Sequence, residues 1–320
     1  MGTILKLLQG VVPLTRYPYS GVEDPCNLCG SDKKRILCEY DRRIKKLRTV
    51  ICLNCGLLRT DPMPTEDELS DYYRLSYRFD YQMAGSKPPK FHIARSKDHA
   101  KARYERLAPT LSNNASILDF GSGSGEFLAE CKSHGCKVTG IEPGQAYAKF
   151  ATETYGLKIH AKPWGQVDLG DQKFDAITAF HVFEHLRDPV AALRWLTSHL
   201  ADNGVIAIAV PDLSPDFKKT QLFEELHFAH VYGFVPETLE LLARFSELET
   251  DPRVPSNQTD MVFHKASPDT PPPEPDPTFS HSLADRFGNT DVVGHLLKGG
   301  WIVDAWRRAS RDIKDTFRSK

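Results

Sequence analysis

Four cysteines stand in two pairs whose spacing suits metal binding. Cys26 and Cys29 lie in CNLCG, and Cys52 and Cys55 lie in CLNCG. Two residues separate the thiols of each pair and a glycine follows, so a tight turn can direct both thiolates toward one ion. Two such turns supply four ligands, which close a tetrahedral shell and leave no position for a reacting water. We therefore predict a structural Zn2+ site at these four cysteines.

Two disulfides are the alternative for the same cysteines, and they would require an oxidising compartment. The first residues, MGTILKLLQGVVPLTRYPYS, are interrupted by Lys6 and Arg16 and do not have the form of a secretory signal. The metal site is therefore favoured. Cys38, Cys131 and Cys136 belong to no such pair and are expected to be ordinary thiols.

A glycine-rich segment, ILDFGSGSGEF, stands between a predicted strand and a predicted helix. Its glycines, Gly121, Gly123 and Gly125, permit a sharp turn and let a ligand approach the backbone at the start of the helix. The spacing is GxGxG rather than the GxGxxG of dinucleotide folds. Asp119 precedes the first glycine, and its carboxylate suits a cationic ligand better than a pyrophosphate. Glu142 ends the next predicted strand, where an acid typically accepts hydrogen bonds from ribose hydroxyls.

Histidines supply the candidate general bases. His181 and His185 are four residues apart in HVFEHLRDP, and His227 and His230 lie in LHFAHVYGF. His181, His185 and His230 are candidate bases. The favoured alternative for His185 is to cap or orient the loop before the next helix, and for His230 it is a structural or substrate-contact role. The HxxxH spacing also suggests a metal, but the sequence places no further acid or histidine clearly enough to complete such a site.

Strands and helices are predicted to alternate from residue 115 onward. SILDF, KVTGI, LKIHA, FDAITAF and GVIAIAV are predicted strands, and most are followed by an amphipathic helix. SELETDP and TDMVFHKA then follow each other as strands with no helix between them. The pattern predicts an α/β fold with a parallel sheet and one antiparallel strand near its end. Earlier in the chain, Thr65 is predicted to cap one helix, and residues 91–108 are predicted to form another.

These elements divide the chain into five predicted parts. They are a zinc ribbon (1–64), a helical connector (65–110), an α/β domain (111–267), a Pro-rich linker (268–277) and a C-terminal helical tail (278–320). Within the tail, one stripe of a predicted helix carries Ile302, Trp306, Ala309, Ile313 and Phe317. That helix either packs on the main domain or serves as a docking or homodimer contact.

Charge and hydropathy exclude several classes of protein. The 320 residues hold 41 basic and 42 acidic side chains, a net charge of −1, which argues against a nucleic-acid partner. The segment 33–48 is locally basic and could contact phosphates, but Glu39 and Asp41 are interleaved, which favours a solvated hairpin face. No apolar run approaches the roughly 18 residues of a membrane helix. We expect a soluble, cytoplasmic protein without a membrane span.

Taken together, ILDFGSGSG, GIEP, FDAITAFHVFEHLRDP and GVIAIAVPD resemble class I S-adenosylmethionine-dependent methyltransferases over about residues 111–266. The resemblance implies a Rossmann-like seven-stranded sheet with the last strand antiparallel. The four-cysteine ribbon is similar to that of a subgroup that includes sugar methyltransferases. Longer sugar C-methyltransferases carry a further Rossmann-like domain, for which residues 267–320 are too few, and this weakens the inference about the substrate.

The resemblance also implies roles for individual residues. The glycine loop would lie under the methionine part of the cofactor, with Asp119 near its ammonium group and Glu142 on its ribose. Pro163 and Trp164 would lie near the adenine, although ordinary packing is the alternative for Trp164. Phe180 and His181 would lie beside the transferred methyl group. In sugar C-methyltransferases the histidine at the place of His230 is preceded by glutamate, whereas Ala229 precedes it here.

The expected function is methyl transfer from S-adenosylmethionine to a small-molecule acceptor, such as a nucleotide-linked sugar or another biosynthetic intermediate. The ribbon and residues 65–108 would form the substrate side, and four tyrosines are candidates to line it: Tyr72, Tyr73, Tyr77 and Tyr81. One alternative is an RNA or protein methyltransferase that reads its substrate with the ribbon. Another is a non-catalytic binding protein with the same fold.

Overall fold

The computed structural model describes residues 16–75, 88–215, 222–271 and 273–288. Tyr77, Tyr81 and the helix expected around 302–317 lie outside these ranges. The helices of the described part are α1 (Glu66–Leu75), α2 (Lys90–Leu107), α3 (Glu126–Ser133), α4 (Gln145–Tyr155), α5 (Pro189–Ser198), α6 (Pro236–Arg244) and α7 (Pro277–Phe287). Its strands are β1 (Lys34–Tyr40), β2 (Lys46–Cys52), β3 (Leu58–Thr60), β4 (Ser116–Phe120), β5 (Lys137–Ile141), β6 (Lys158–His160), β7 (Phe174–Phe180), β8 (Leu200–Ala209), β9 (Tyr232–Gly233), β10 (Leu248–Thr250) and β11 (Asp260–Lys265).

A seven-stranded sheet forms the centre of the α/β part. Its strand order is β10-β11-β8-β7-β4-β5-β6. The pairs between β6, β5, β4, β7 and β8 are all parallel, whereas β11 is antiparallel to both of its neighbours. The predicted α/β class, with seven strands and one of them antiparallel, is confirmed.

Both faces of this sheet are buried at its centre, which explains why its central strands are mostly apolar. In β4, Ile117 and Leu118 are both fully buried, yet they belong to different core clusters on opposite faces. The same alternation holds for Val205 and Ile206 of β8. Ala100 of α2 belongs to the cluster on the Ile117 face. The helix predicted at 91–108 is therefore present and packs on the sheet.

The ribbon is a second sheet with the order β1-β2-β3-β9. Strands β1 and β2 form the antiparallel hairpin between the two cysteine pairs, with Lys34 opposite Cys52. Strand β9 comes from the chain that follows β8, and it pairs with β3 through Leu58 and Gly233. A Cβ atom on Gly233 would lie 2.3 Å from Cδ1 of Leu213 and 3.3 Å from Cβ of Leu58, so a larger residue there would displace the Leu213 side chain. This pairing joins the ribbon to the α/β part.

Side chains reinforce the junction at the start of α5. Asp188 caps this helix by accepting from the Ala191 N–H at 2.9 Å, and it also accepts from Asn27 Nδ2 at 3.2 Å. Asn27 lies between the first two cysteines. The guanidinium of Arg187 donates to Asp24 at 2.6 Å. The first cysteine turn is thus attached to the segment that directly follows the HVFEH motif.

Several basic side chains of the hairpin contact acidic or aromatic groups of the protein. Lys34 and Arg48 contact Asp61 at 2.8 and 2.9 Å, and Arg35 contacts Asp285 at 2.8 Å. Lys45 is fully buried, with its Nζ 4.9 Å from the centre of the Tyr17 ring. These contacts support a structural role for the basic residues over the phosphate-binding alternative.

Replacing Asp61 with asparagine is expected to lower the free energy of unfolding by about 3 kcal/mol, because three cations lose a buried counter-charge. Asp61 is 1% exposed, and Arg59, its third partner, is 3% exposed. Urea unfolding of the full chain measures the change. Asp202→Asn is the control, because Asp202 is 98% exposed and solvent screens its ion pair with Lys265, so the free energy of unfolding should hardly change. An equal effect of the two substitutions would contradict this account.

The tail begins with a helix that the sequence analysis did not locate separately. Helix α7 starts at Pro277 and is capped by Asp276, which accepts from the Thr278 N–H at 2.8 Å. Its Ser280 hydroxyl donates to the Leu53 carbonyl at 2.6 Å, so the helix packs against the ribbon. Among the described helices, none is both long and apolar enough to cross a membrane.

Candidate cofactor and active site

The glycine loop connects the end of β4 to the start of α3. Gly121, Gly123 and Gly125 have φ angles of +81°, +52° and +88°, a region that favours glycine. A Cβ atom would lie 2.4 Å from Val182 at Gly121 and 2.7 Å from Leu157 at Gly125, so packing excludes larger residues there. At Gly123 a Cβ would meet no described atom within 4 Å. The middle glycine therefore faces space that a ligand can enter.

Glu142 follows β5 and is held against this loop. Its Oε2 accepts from the Gly123 N–H at 3.0 Å, and its Oε1 accepts from the Gly144 N–H at 2.6 Å. Strands β4 and β5 are parallel neighbours, with Asp119 opposite Gly140. The structure thus brings together the glycine loop and the acid that the sequence singled out.

Asp119 lies beneath the loop rather than on its surface. It is 4% exposed, and its Oδ1 accepts from the Thr178 hydroxyl at 2.7 Å. Burial raises the pKa of this carboxyl to about 6, against the opposing effects of the Thr178 hydrogen bond and the Arg103 charge. Arg103, on α2, was not singled out from the sequence. Its guanidinium carbon lies 4.1 Å from the centre of the Phe180 ring.

Asp119 is expected to reduce the stability of the folded chain as pH rises from about 4 to about 6. The folded pKa of about 6 lies above the ordinary 3.8. Over that interval the folded state therefore binds more protons than the unfolded state. The stabilisation that this proton gives the folded state disappears as pH passes the folded pKa. The resulting decrease in the free energy of unfolding is at most about 3 kcal/mol.

Urea unfolding of the wild type and of Asp119→Asn, at about pH 4 and pH 7, tests this effect. Asparagine keeps an oxygen for the Thr178 hydroxyl but has no proton to lose. The variant should lack this part of the pH dependence. Identical pH profiles for the two proteins would show that Asp119 does not titrate in this way.

Trp164 and Phe180 are both half-buried. Trp164 begins a short turn after β6, and its ring centre lies 5.8 Å from that of Trp195. Phe180 ends β7 and meets Phe127 edge to face, with ring centres 5.2 Å apart. The contact with Trp195 supports packing for Trp164, while its contact with adenine, like that of Pro163 beside it, stays a prediction.

Three histidines converge on one buried carboxylate, that of Glu184. Its Oε1 lies 3.6 Å from His181 Nδ1, 3.8 Å from His185 Nε2 and 3.9 Å from His230 Nε2. The Glu184 side chain is 2% exposed, whereas that of His181 is 53% exposed. Val182 packs over Gly121, so this cluster adjoins the glycine loop. Glu184 is thus the acid beside these histidines, a position that the sequence pattern did not reveal.

His185 is fixed by groups from two other elements. Its Nδ1 lies 2.9 Å from the Tyr73 hydroxyl and 2.9 Å from the Ala229 carbonyl oxygen. Tyr73 therefore belongs to the cluster. Tyr72, beside it, is 7% exposed and packs edge to face on Phe228. Of the two candidate tyrosines within the described ranges, only Tyr73 reaches the histidines.

His227 is a buried neighbour of the cluster. It is 3% exposed, and its ring centre lies 3.7 Å from that of His230. Burial holds its pKa well below the usual range, and the nearby His230 acts in the same direction. His227 is therefore neutral at physiological pH.

The four paired cysteines also meet. Their sulfurs lie within 4.8 Å of one another, with Cys26 and Cys55 3.6 Å apart and Cys29 and Cys52 3.5 Å apart. Four sulfurs at about 2.3 Å from one Zn2+ would be separated by about 3.8 Å. The observed spacing and the all-sulfur donor set fit a closed tetrahedral zinc site.

The comparison with known protein families concerns the α/β part of the chain. Residues 92–248 match a protein family described as a methyltransferase domain, a segment that begins within α2 and ends at the start of β10. The chain contains a class I methyltransferase domain of the S-adenosylmethionine-dependent type. The resemblance that the motifs indicated is thus confirmed.

Three relatives illustrate the range of the match. The ubiquinone biosynthesis O-methyltransferase of Idiomarina loihiensis is 28% identical over 141 residues, which are 40% of this chain and 54% of that protein. The tRNA U34 carboxymethyltransferase of Shewanella sediminis is 30% identical over 117 residues, 33% of this chain and 35% of that protein. The structure of the sugar N-methyltransferase KedS8 from Streptoalloteichus is 17% identical, with a TM-score of 0.41 over 61% of this chain and 93% of that chain. The chain thus matches 54% or less of the length of these two curated relatives.

Proposed function

We propose that this chain is an enzyme that transfers a methyl group from S-adenosylmethionine to a small-molecule acceptor, with nucleotide-linked sugars as the favoured class. The observation that carries the proposal is the contact of Val182 with Gly121. It sets the histidine cluster beside the glycine loop at the carboxyl edge of β4 and β7. In open α/β sheets ligands bind at this edge.

The cofactor would be held by the loop and by two acids. Gly123 faces open space, so a ligand can approach the backbone closely there. Glu142 would accept hydrogen bonds from the ribose hydroxyls. The ammonium group of the cofactor would lie near Asp119, and such a cation would favour the ionised form of that buried carboxyl.

Methyl transfer is an in-line displacement at a sulfonium carbon. The bond from the acceptor atom to the methyl carbon forms as the carbon–sulfur bond breaks, and S-adenosylhomocysteine leaves as a neutral thioether. The protein mainly supplies alignment and proximity. An acceptor hydroxyl must also lose its proton, and an imidazole is the natural base.

His181 is the most accessible candidate base, because its side chain is 53% exposed at the end of β7 and Glu184 lies 3.6 Å away. Glu184 would stabilise the resulting imidazolium. His230, whose side chain is 19% exposed, is the second candidate. His185 is held by Tyr73 and Ala229, which suits a positioning role.

The cysteine cluster would hold Zn2+ in a structural role. Four thiolates leave the ion no open position for a substrate or a water. The cluster also lies beside Asn27, which contacts Asp188 at the start of α5. The ion would therefore stabilise the ribbon and, through it, the segment after the histidine cluster.

The test is a transfer assay with the full chain, methyl-labelled S-adenosylmethionine and separate pools of nucleotide sugars, RNA and protein. Label in the nucleotide-sugar pool is the expected result. Label in RNA or protein alone would support the macromolecular alternative and overturn the proposed acceptor. Absence of cofactor binding by calorimetry would support a non-catalytic protein instead.

A further inference from the structure

The carboxylate of Glu184 is buried and accepts no hydrogen bond from the part of the chain that the structure describes. The residue is 1% exposed, and neither of its oxygens has a hydrogen-bond partner within the described ranges. A desolvated carboxylate in this state is unfavourable by several kcal/mol unless another charge compensates it. Ring nitrogens of His181, His185 and His230 lie 3.6 to 3.9 Å from Glu184 Oε1. These separations exceed the roughly 3.2 Å limit of a good hydrogen bond.

His185 directs its Nε2 atom toward this carboxylate, at 3.8 Å from Glu184 Oε1. A carbonyl oxygen can only accept, so the contact of 2.9 Å between His185 Nδ1 and Ala229 O assigns the proton to Nδ1. In the neutral imidazole with this tautomer, the lone pair is on Nε2, the atom that faces Glu184. Histidines that bind metals commonly donate their other ring N–H to a backbone carbonyl in this way, which fixes the tautomer.

We propose that Glu184, His185 and His230 bind a divalent transition-metal ion, distinct from the ion of the cysteine cluster. One ligand atom from each of these residues lies within 4.8 Å of the other two. Ligands 2.0–2.2 Å from a tetrahedral ion are separated by about 3.4 Å, so the three atoms need to approach one another only modestly. The ion would supply the positive charge that Glu184 lacks.

The donor set determines which ions fit. Two imidazoles and one carboxylate form the facial arrangement that binds first-row ions such as Fe2+, Co2+ and Zn2+ and leaves coordination positions open. The cysteine cluster offers only thiolates, so the two sites differ in their spectra as well as in their ligands. On the proposed function, the open positions would bind an acceptor oxygen and lower the pKa of its hydroxyl, and His181 would remain as the base.

Cobalt titration of the full chain, with Zn2+ retained at the cysteine cluster, tests the proposal without cofactor or acceptor. Calorimetry should detect one Co2+ per chain. The visible spectrum should show d–d bands but none of the thiolate-to-cobalt charge transfer that cysteine ligands give. Glu184→Gln should weaken Co2+ binding by at least about 100-fold, because it removes a charged ligand and keeps the side-chain shape.

Glu130→Gln is the matched control, because Glu130 also faces a histidine, His134 at 3.2 Å, but at an exposed site. It should bind Co2+ like the wild type. His230→Gln is a second variant and should also lose Co2+. For each variant, one bound Zn2+ per chain and an unchanged melting temperature show that the protein is folded. No Co2+ bound by the wild type, or equal binding by a folded Glu184→Gln variant, would overturn the proposal and leave Glu184 as a partner of histidine alone. Because these readouts need no methyl transfer, they remain informative even if the proposed function is wrong.

Discussion

Gly123→Arg is expected to abolish binding of S-adenosylmethionine, with a loss of affinity of at least about 100-fold, or roughly 3 kcal/mol. The position has a φ of +52°, and a side chain there would extend into the space that no described atom occupies. A guanidinium in that space would displace the methionine part of the cofactor and bring a cation toward its ammonium group. Isothermal titration calorimetry with the full chain measures the loss.

Gly170→Arg controls for backbone strain. Gly170 has a φ of +55° and likewise has no described atom within 4 Å of its would-be Cβ. It lies shortly before β7, whereas the glycine loop lies at the carboxyl edge of the sheet. Both substitutions therefore carry the same conformational penalty, and only Gly123→Arg should affect the cofactor. Full binding by Gly123→Arg, or equal losses in the two variants, would contradict the assignment of the loop.

Cys52→Ser is expected to remove the metal from the cysteine cluster and to unfold the ribbon. Metal binding in small zinc domains contributes on the order of 10 kcal/mol, which is comparable with the whole stability of a typical domain. Cys52 is 2% exposed and belongs to the same core cluster as Leu57 and Leu239 of α6. Loss of the ion should therefore also destabilise the α/β part that packs on the ribbon. Metal content should fall from one Zn2+ per chain to nearly none, and the melting temperature should fall with it.

Cys38→Ser is the matched control in the same hairpin. Cys38 is buried outside the metal cluster, and its Sγ donates to the Tyr40 carbonyl at 3.0 Å, a bond that a serine hydroxyl can replace. This variant should keep its Zn2+. A chelator should reproduce the Cys52→Ser result in the wild type. Retention of Zn2+ by Cys52→Ser would exclude a four-thiolate site.

Local patterns in the sequence predicted most of the elements accurately. The helix expected at 91–108 is Lys90–Leu107, and Thr65 accepts from the Glu68 N–H at 3.2 Å as the expected cap of α1. The cysteine pairs and the glycine loop were also recognisable. These features depend on the spacing of residues close together in the chain, and such spacing is visible without a structure.

Contacts between distant segments could not be predicted in the same way. Strand β9 is two residues long and completes the ribbon sheet from a position more than 170 residues after β3. Arg103 was one basic residue among several on a basic helix, and nothing in the pattern distinguished it. Whether such residues meet depends on how the helices and loops pack, and their residue types do not reveal it.

The sequence alone determined which side chains can perform chemistry and which turns present them. It specified the thiols, the loop of glycines, the acid after β5 and the histidines. Only the tertiary structure decided that Glu184 lies buried among His181, His185 and His230. The physical reason is the parallel register of β7 and β8, in which Phe180 pairs with Ala209. Their carboxyl ends bring the two following loops together, although His230 is 46 residues from Glu184 in the sequence.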